Sequence, residues 1–120
     1  MAKSIWQMIA DKLIENGIDV YPPATHQGEC LSKYVVLKED GASQFQQFST
    51  KIRYYTLLCY VPKNSYTELS SYTQQCRNIM AQIAPLIMPT GYETPDFYDD
   101  SIKGHMTSIQ YRNYVRDELL

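Results

Sequence analysis

Lys51-Ile52-Arg53-Tyr54-Tyr55-Thr56-Leu57-Leu58-Cys59-Tyr60-Val61 decides the fold, together with the stretch it leads into, which ends at Pro85. Its density of β-branched, aromatic and aliphatic residues suits a pleated, half-buried surface, so it reads as a long strand. Pro62-Lys63-Asn64 makes a turn, after which Ser65 and Glu68 have the spacing of a capping box, with Ser65 as N-cap. From there Leu69, Tyr72, Cys76, Ile79, Met80 and Ile83 fall at intervals of three and four, one apolar stripe of a helix that Pro85 ends near Ala84. A strand passed through a short turn into an amphipathic helix is a packing unit, one helix across one face of a sheet.

Working outward, Ser4 and Gln7 repeat the capping-box spacing. Ile5, Met8, Ile9 and Leu13, beside Trp6, line one face of an N-terminal helix that Gly17 closes as a left-handed C-cap. Such a short helix needs an apolar surface to dock on. Ile18 to Ser32 is a connector in which Val20-Tyr21 can form a brief strand before Pro22-Pro23 breaks it. Lys33 to Glu39, with Tyr34-Val35-Val36-Leu37 at its centre, is the next strand, and Asp40-Gly41 signals a turn. Ala42 to Ser49 is polar and glutamine-rich, with Phe45 and Phe48 among Gln44, Gln46 and Gln47. It is either a long hairpin loop or the distal end of two strands reaching beyond the core; both make the two long strands an antiparallel pair.

After the helix, Pro89, Gly91 and Pro95 punctuate an irregular stretch from Leu86 to Thr94. Met106 to Val115 alternates, with Thr107, Ile109, Tyr111, Asn113 and Val115 on one side, as a last strand hairpinned with Phe97 to Ile102. The expected class is α+β, a mostly antiparallel sheet with two helices packed on it, in the order helix, strand, strand, helix, strand, strand. At 120 residues the chain is expected to form a single domain.

A net charge of −2 without a Lys/Arg run argues against a dedicated nucleic-acid binder. No apolar run approaches the ~20 residues of a membrane span and no signal-peptide pattern is visible, so the expectation is a soluble chain that stays where it is made. Cys30, Cys59 and Cys76 are odd in number, and two sit inside apolar patterns, as buried reduced thiols would. Eleven tyrosines either fill strand positions or furnish surfaces that become interfaces.

Parts for catalysis are missing: there is no phosphate loop, nucleophile elbow or helical zinc-protease motif. His26, Cys30, Cys59, Cys76 and His105 have metal-ligating side chains but none of the tight pairing that structural zinc sites use, and no metal or cofactor is expected. Glu93, Asp96, Asp99 and Asp100 have the chemistry of paired carboxylates or a divalent-cation site, but a solvated acidic loop is the simpler account. What core packing leaves over is surface: the Gln/Phe segment, the acidic aromatic loop and the tyrosines, which together point to protein–protein contact.

The layout resembles that of the tail terminator proteins of long-tailed bacteriophages and prophages, also called tail completion or minor capsid proteins. The resemblance runs through Ile5 to Glu15 leading into Gly17-Ile18-Asp19-Val20-Tyr21-Pro22, then Tyr34-Val35-Val36-Leu37, then Cys59-Tyr60-Val61-Pro62 followed by Ser65-Tyr66-Thr67-Glu68-Leu69. It closes on Phe97-Tyr98-Asp99-Asp100 and His105-Met106-Thr107-Ser108-Ile109-Gln110-Tyr111-Arg112. It covers nearly the whole chain as pattern and length, without an invariant motif. It implies a small virion subunit forming a closed ring, typically a hexamer. That ring caps the tail tube, fixes its length with the tape measure protein and docks to the head-side connector, with no catalytic residues. Under it, Gln44, Phe45, Gln46, Gln47 and Phe48 are expected to reach the tube or a neighbouring subunit. Asp96, Asp99 and Asp100 are expected to face a lumen through which DNA passes without sticking. A head-completion or stopper protein of the neck has the same general build, as has a non-viral α+β interaction module; an enzyme fits least.

Overall fold

The computed structural model describes residues 4–25, 28–44 and 50–116; the side chains of 42–44, 50, 51 and 114–116 are left aside. Two α-helices and a mixed six-stranded sheet make an α+β fold. In chain order these are α1 (Ile5–Glu15), β1 (Val20–Tyr21), β2 (Tyr34–Gln44) and β3 (Thr50–Pro62). After a 3₁₀ turn at Lys63–Glu68 come α2 (Leu69–Ala81), β4 (Met88–Glu93), β5 (Phe97–Asp99) and β6 (Gly104–Arg116). The sheet runs β1-β2-β3-β6-β4, with β5 also on β6. Among the described residues only the β1–β2 pair is parallel. Since β3 occupies one edge of β6 over its whole length, β4 and β5 share the other.

The helix α1 is built as its sequence suggests, with two differences, at Gln7 and Met8. Ser4 Oγ accepts from the Gln7 N–H at 3.1 Å, while the Gln7 amide donates to Asp11 at 2.7 Å instead of reaching back. At the other end Gly17 has φ +85°, and the N–H groups of Gly17 and Ile18 reach the carbonyls of Ile14 and Leu13 in a Schellman motif. Ile9, Ala10 and Leu13 are buried; Met8, expected on that face, is on the exposed side.

The capping box at Ser65 does not form. Ser65 lies inside the 3₁₀ turn at φ −118°, ψ 25°, and the α-helix starts four residues later. Glu68 holds the N-cap position, where its carboxylate pairs with Lys33 at 2.8 Å and also takes a hydrogen bond from the Ser65 side chain without capping the helix. The Lys33 ammonium accordingly lowers the Glu68 pKa. The predicted stripe does hold: Leu69, Tyr72, Cys76, Ile79 and Met80 are buried, joined by Thr73, and Ile83 packs beside them. The helix ends at Ala81 rather than Ala84, and the N–H groups of Gln82, Ile83 and Ala84 each reach back three residues in a tighter turn.

Three further expectations are corrected. Asp40-Gly41 is no turn: β2 continues to Gln44 through a bulge at Asp40, where Gly41 takes φ +95°. Asp40 is held there by Thr56 and, at 3.3 Å, by Lys38. The stretch Leu86–Thr94 is not irregular but contains β4, so the element order has three strands after α2, and β1 adds another before β2. The brief Val20–Tyr21 strand, the antiparallel β2–β3 pair and the β5–β6 hairpin are as expected.

Alternation along the strands separates the two faces. Val35 and Leu37, Tyr55 to Val61 at every second residue, and Ile109 with Tyr111 join both helices in one buried cluster. Both helices therefore cover the same face. The other face carries Val36, Tyr54, Leu58 and Met106, all partly exposed, and the connector crosses one end of it. There Cys30 packs on Gly104, where an added Cβ would meet the Cys30 Cβ at 2.8 Å. Tyr34 stacks on Tyr60 at 4.8 Å and takes the edge of Tyr21 at 5.6 Å. Past Tyr55 the long strands β2, β3 and β6 leave the core cluster and run on together, opposite Gln44, Lys51 and Val115, as an arm. No helix among the described residues is long and apolar enough to cross a membrane.

Candidate interaction site

The acidic residues singled out in the sequence are placed close in the chain but bound to separate tasks. Asp96 accepts from the Tyr66 hydroxyl at 2.8 Å, which raises the Tyr66 pKa. Asp99 accepts from the N–H and hydroxyl of Ser101 at 3.0 and 2.6 Å, closing the turn into β6, and Asp100 is exposed on that turn. Glu93 is apart from them, paired with Arg77 of α2. His105 lies between the rings of Tyr66 and Tyr98, at 4.7 and 5.0 Å, with Nε2 3.2 Å from the Lys63 carbonyl. This aromatic stack ties the acidic loop to the 3₁₀ turn. Gln44 ends β2 opposite Lys51; Phe45, Gln46, Gln47 and Phe48 lie outside the described residues.

The thiols are divided between the two faces of the sheet. Cys59 and Cys76 meet between β3 and α2, and their hydrogen bond, followed by burial, pushes the Cys59 thiol well up. Cys30 is on the other face, where burial raises its pKa and its Sγ donates to the Ser32 carbonyl at 3.4 Å. His26 lies outside the described residues. Among the described residues, no three His, Cys, Asp or Glu side chains converge as a metal site would require.

What the sequence did not reveal is a groove of about 290 Å³ between the C-terminal half of α2 and the edge strand β4. Met80, Ile87, Ile109 and Tyr111 form its floor, and Ala81, Met88 and Tyr92 its rim. The Arg77–Glu93 pair closes one end and separates it from a polar recess lined by Thr73, Thr94 and Asp96. Burial pushes the Tyr111 hydroxyl up to about 12, against the opposing pull of Arg77. It therefore stays a neutral phenol in an apolar wall. Met88 and Tyr92, the latter 61% exposed, form an apolar rim on the edge strand, and Leu86 is exposed in the turn before it.

Local chemistry builds the groove. Asn113 Nδ2 donates to the Leu86 carbonyl at 2.8 Å, pinning the turn after α2 to β6. Thr94 bridges the gap between β4 and β5: its Oγ1 accepts from the Ser108 N–H at 3.0 Å, and its carbonyl accepts from the Thr107 hydroxyl at 2.7 Å. Pro89 and Gly91 hid the strand from the sequence, yet both are tolerated on an edge strand with a register shift. The one available signal was the spacing of Met88, Thr90 and Tyr92. The sequence matches no protein-family model and no curated protein.

Proposed function

We propose that this chain is a single-domain structural subunit that assembles with copies of itself into a closed ring, in the manner of the tail terminator proteins it resembles. In that role the ring, a hexamer, caps the tail tube and ends its growth together with the tape measure protein. It then offers its other face to the head-side connector, and DNA passes only through the lumen. The chain is then a virion component of the tail and neck.

The observation that carries this proposal is the exposed Met88 and Tyr92 at the rim of a preformed groove, on a molecule whose three long strands run past the helical layer. A ring needs two different surfaces on each subunit, one receiving and one inserting. A groove at a sheet edge and an arm elsewhere on the same chain are two such surfaces. The acidic turn around Asp100 suits a surface from which DNA is to be repelled.

The test is assembly. Light scattering after size exclusion and negative-stain imaging should show rings, alone or on the ends of tail tubes. A chain that stays monomeric and never decorates tube ends would sink the proposal. Rings that bind connector but not tube would make it a stopper protein of the neck.

A further inference from the structure

Asn16 and Gly17 are the one Asn-Gly pair in the sequence, and both are exposed where α1 ends. Glycine has no Cβ to hinder the approach of its backbone nitrogen to the preceding side-chain amide. We propose that Asn16 is a self-modification site, which deamidates through a cyclic imide, and that the folded end of α1 restrains the reaction until that end opens.

The chemistry needs only water and a base. The Gly17 nitrogen gives up its proton and attacks Asn16 Cγ. A C–N bond forms as the Cγ–Nδ2 bond breaks, and the amide group leaves with a proton as ammonia. Water then opens the five-membered imide. Addition at Cγ yields aspartate, whereas addition at the main-chain carbonyl yields isoaspartate, whose main chain runs through Cβ.

The cap restrains both reacting groups. The Gly17 N–H donates to the Ile14 carbonyl at 3.0 Å, and Asn16 Nδ2 donates to the Lys12 carbonyl at 2.8 Å. Ring closure requires the Gly17 nitrogen to eclipse Cβ of Asn16, but a ψ of 16° turns it away. The Ile18 N–H holds the Leu13 carbonyl at 3.0 Å, and its side chain, 3% exposed, anchors the cap in the core. The reaction therefore proceeds from states in which the last turn of α1 has opened.

The product does not fit the place of the asparagine. A carboxylate has no N–H to give to the Lys12 carbonyl, and it adds negative charge at the negative end of the helix, between Glu15 and Asp19 in the chain. Isoaspartate also lengthens the main chain by one carbon, which breaks the register of the bonds from Gly17 and Ile18. The Asp19 carbonyl next to them holds the Val35 N–H at 2.8 Å, and β1 pairs with β2 from Val20. Modification thus loosens the end of α1 and the start of β1 together.

The full chain is incubated in mildly alkaline buffer, with and without denaturing urea, and Asn16 conversion is followed by peptide mass spectrometry. Asn16 should convert in urea ahead of Asn64, Asn78 and Asn113, and at least about tenfold more slowly in the folded chain. Equal rates, a faster folded rate, or no lead for Asn16 in urea each overturn the proposal. Ile18→Ala, which loosens the cap but keeps the pair, should speed conversion at least about threefold in buffer and leave the urea rate unchanged. An unchanged buffer rate would show that the cap is not the restraint. If Ile18→Ala does not fold, wild type in sub-denaturing urea replaces it: conversion should rise in step with loss of Gly17 amide protection, and a rate indifferent to that loss counts against the proposal. The purified isoaspartate form should exchange its Ile18 and Val35 amides faster than the unmodified chain; unchanged exchange at both overturns the loosening.

Discussion

The unit of β3 and α2 and the margin of β4 and β5 are made from similar residues but held in different ways. In the first, apolar side chains recur at the period of their element and are buried: Leu57, Cys59 and Val61 are inaccessible against Leu69, Cys76 and Met80. In the second, Leu86, Met88, Tyr92 and Phe97 remain exposed, and order comes from polar ties through Thr94, Asn113 and the Tyr66–His105–Tyr98 stack. Period-matched burial makes a scaffold. Apolar residues fixed in the open by hydrogen bonds make an exposed margin.

The contrast is most severely tested in the scaffold. Ile79→Asp puts an unpaired charge at a position only 5% exposed and should cost at least about 3 kcal/mol, abolishing the cooperative thermal transition. A soluble, folded Ile79→Asp protein would show that the buried face of α2 has been misjudged.

High pH should separate the regions next. The Cys59 thiol has its pKa raised in the fold, as has the Tyr111 phenol. Below the unfolded thiol value of 9.0 both states carry the proton and nothing is lost. Above it the unfolded chain releases protons the folded chain retains, so stability falls with rising pH. Urea midpoints should be level through neutrality and decline progressively above about pH 9. Midpoints that rose there would contradict the burial of these groups.

Smaller effects belong to the joints and margins. Gly104→Ala forces a Cβ to within 2.8 Å of Cys30 and should cost about 1–3 kcal/mol in urea denaturation. Thr94→Val removes the acceptor for the Ser108 N–H and should cost about 1–2 kcal/mol, with faster amide exchange at Ser108. Glu93→Gln breaks a partly exposed ion pair and should change stability by less than about 1 kcal/mol. A larger loss there would make the groove's end part of the scaffold.

Much of the scaffold was legible because its signals are local and periodic. The stripe from Leu69 to Met80, the Ser4 cap, the Gly17 terminus and the alternation from Thr107 to Asn113 are all present as read. Where local chemistry had a distant rival, it misled. Glu68 suits a capping box with Ser65, but its carboxylate also reaches Lys33 and no cap forms. Asp40-Gly41 has turn chemistry, yet hydrogen bonding across to Thr56 keeps the pair inside a strand as a bulge. Leu86–Thr94 has breaker residues, but an edge strand is where breakers are accepted.

By itself, then, the sequence determined which segments are amphipathic and with what period, because burial of one face acts on every third or second residue along the chain. It thereby set two helices, the long strands and the α+β class. Only the tertiary structure decided that both helices share one face, that Cys30 is parted from Cys59 and Cys76, and that a groove opens beside β4. Those outcomes depend on which elements become neighbours, and neighbours far apart in sequence leave no period to read.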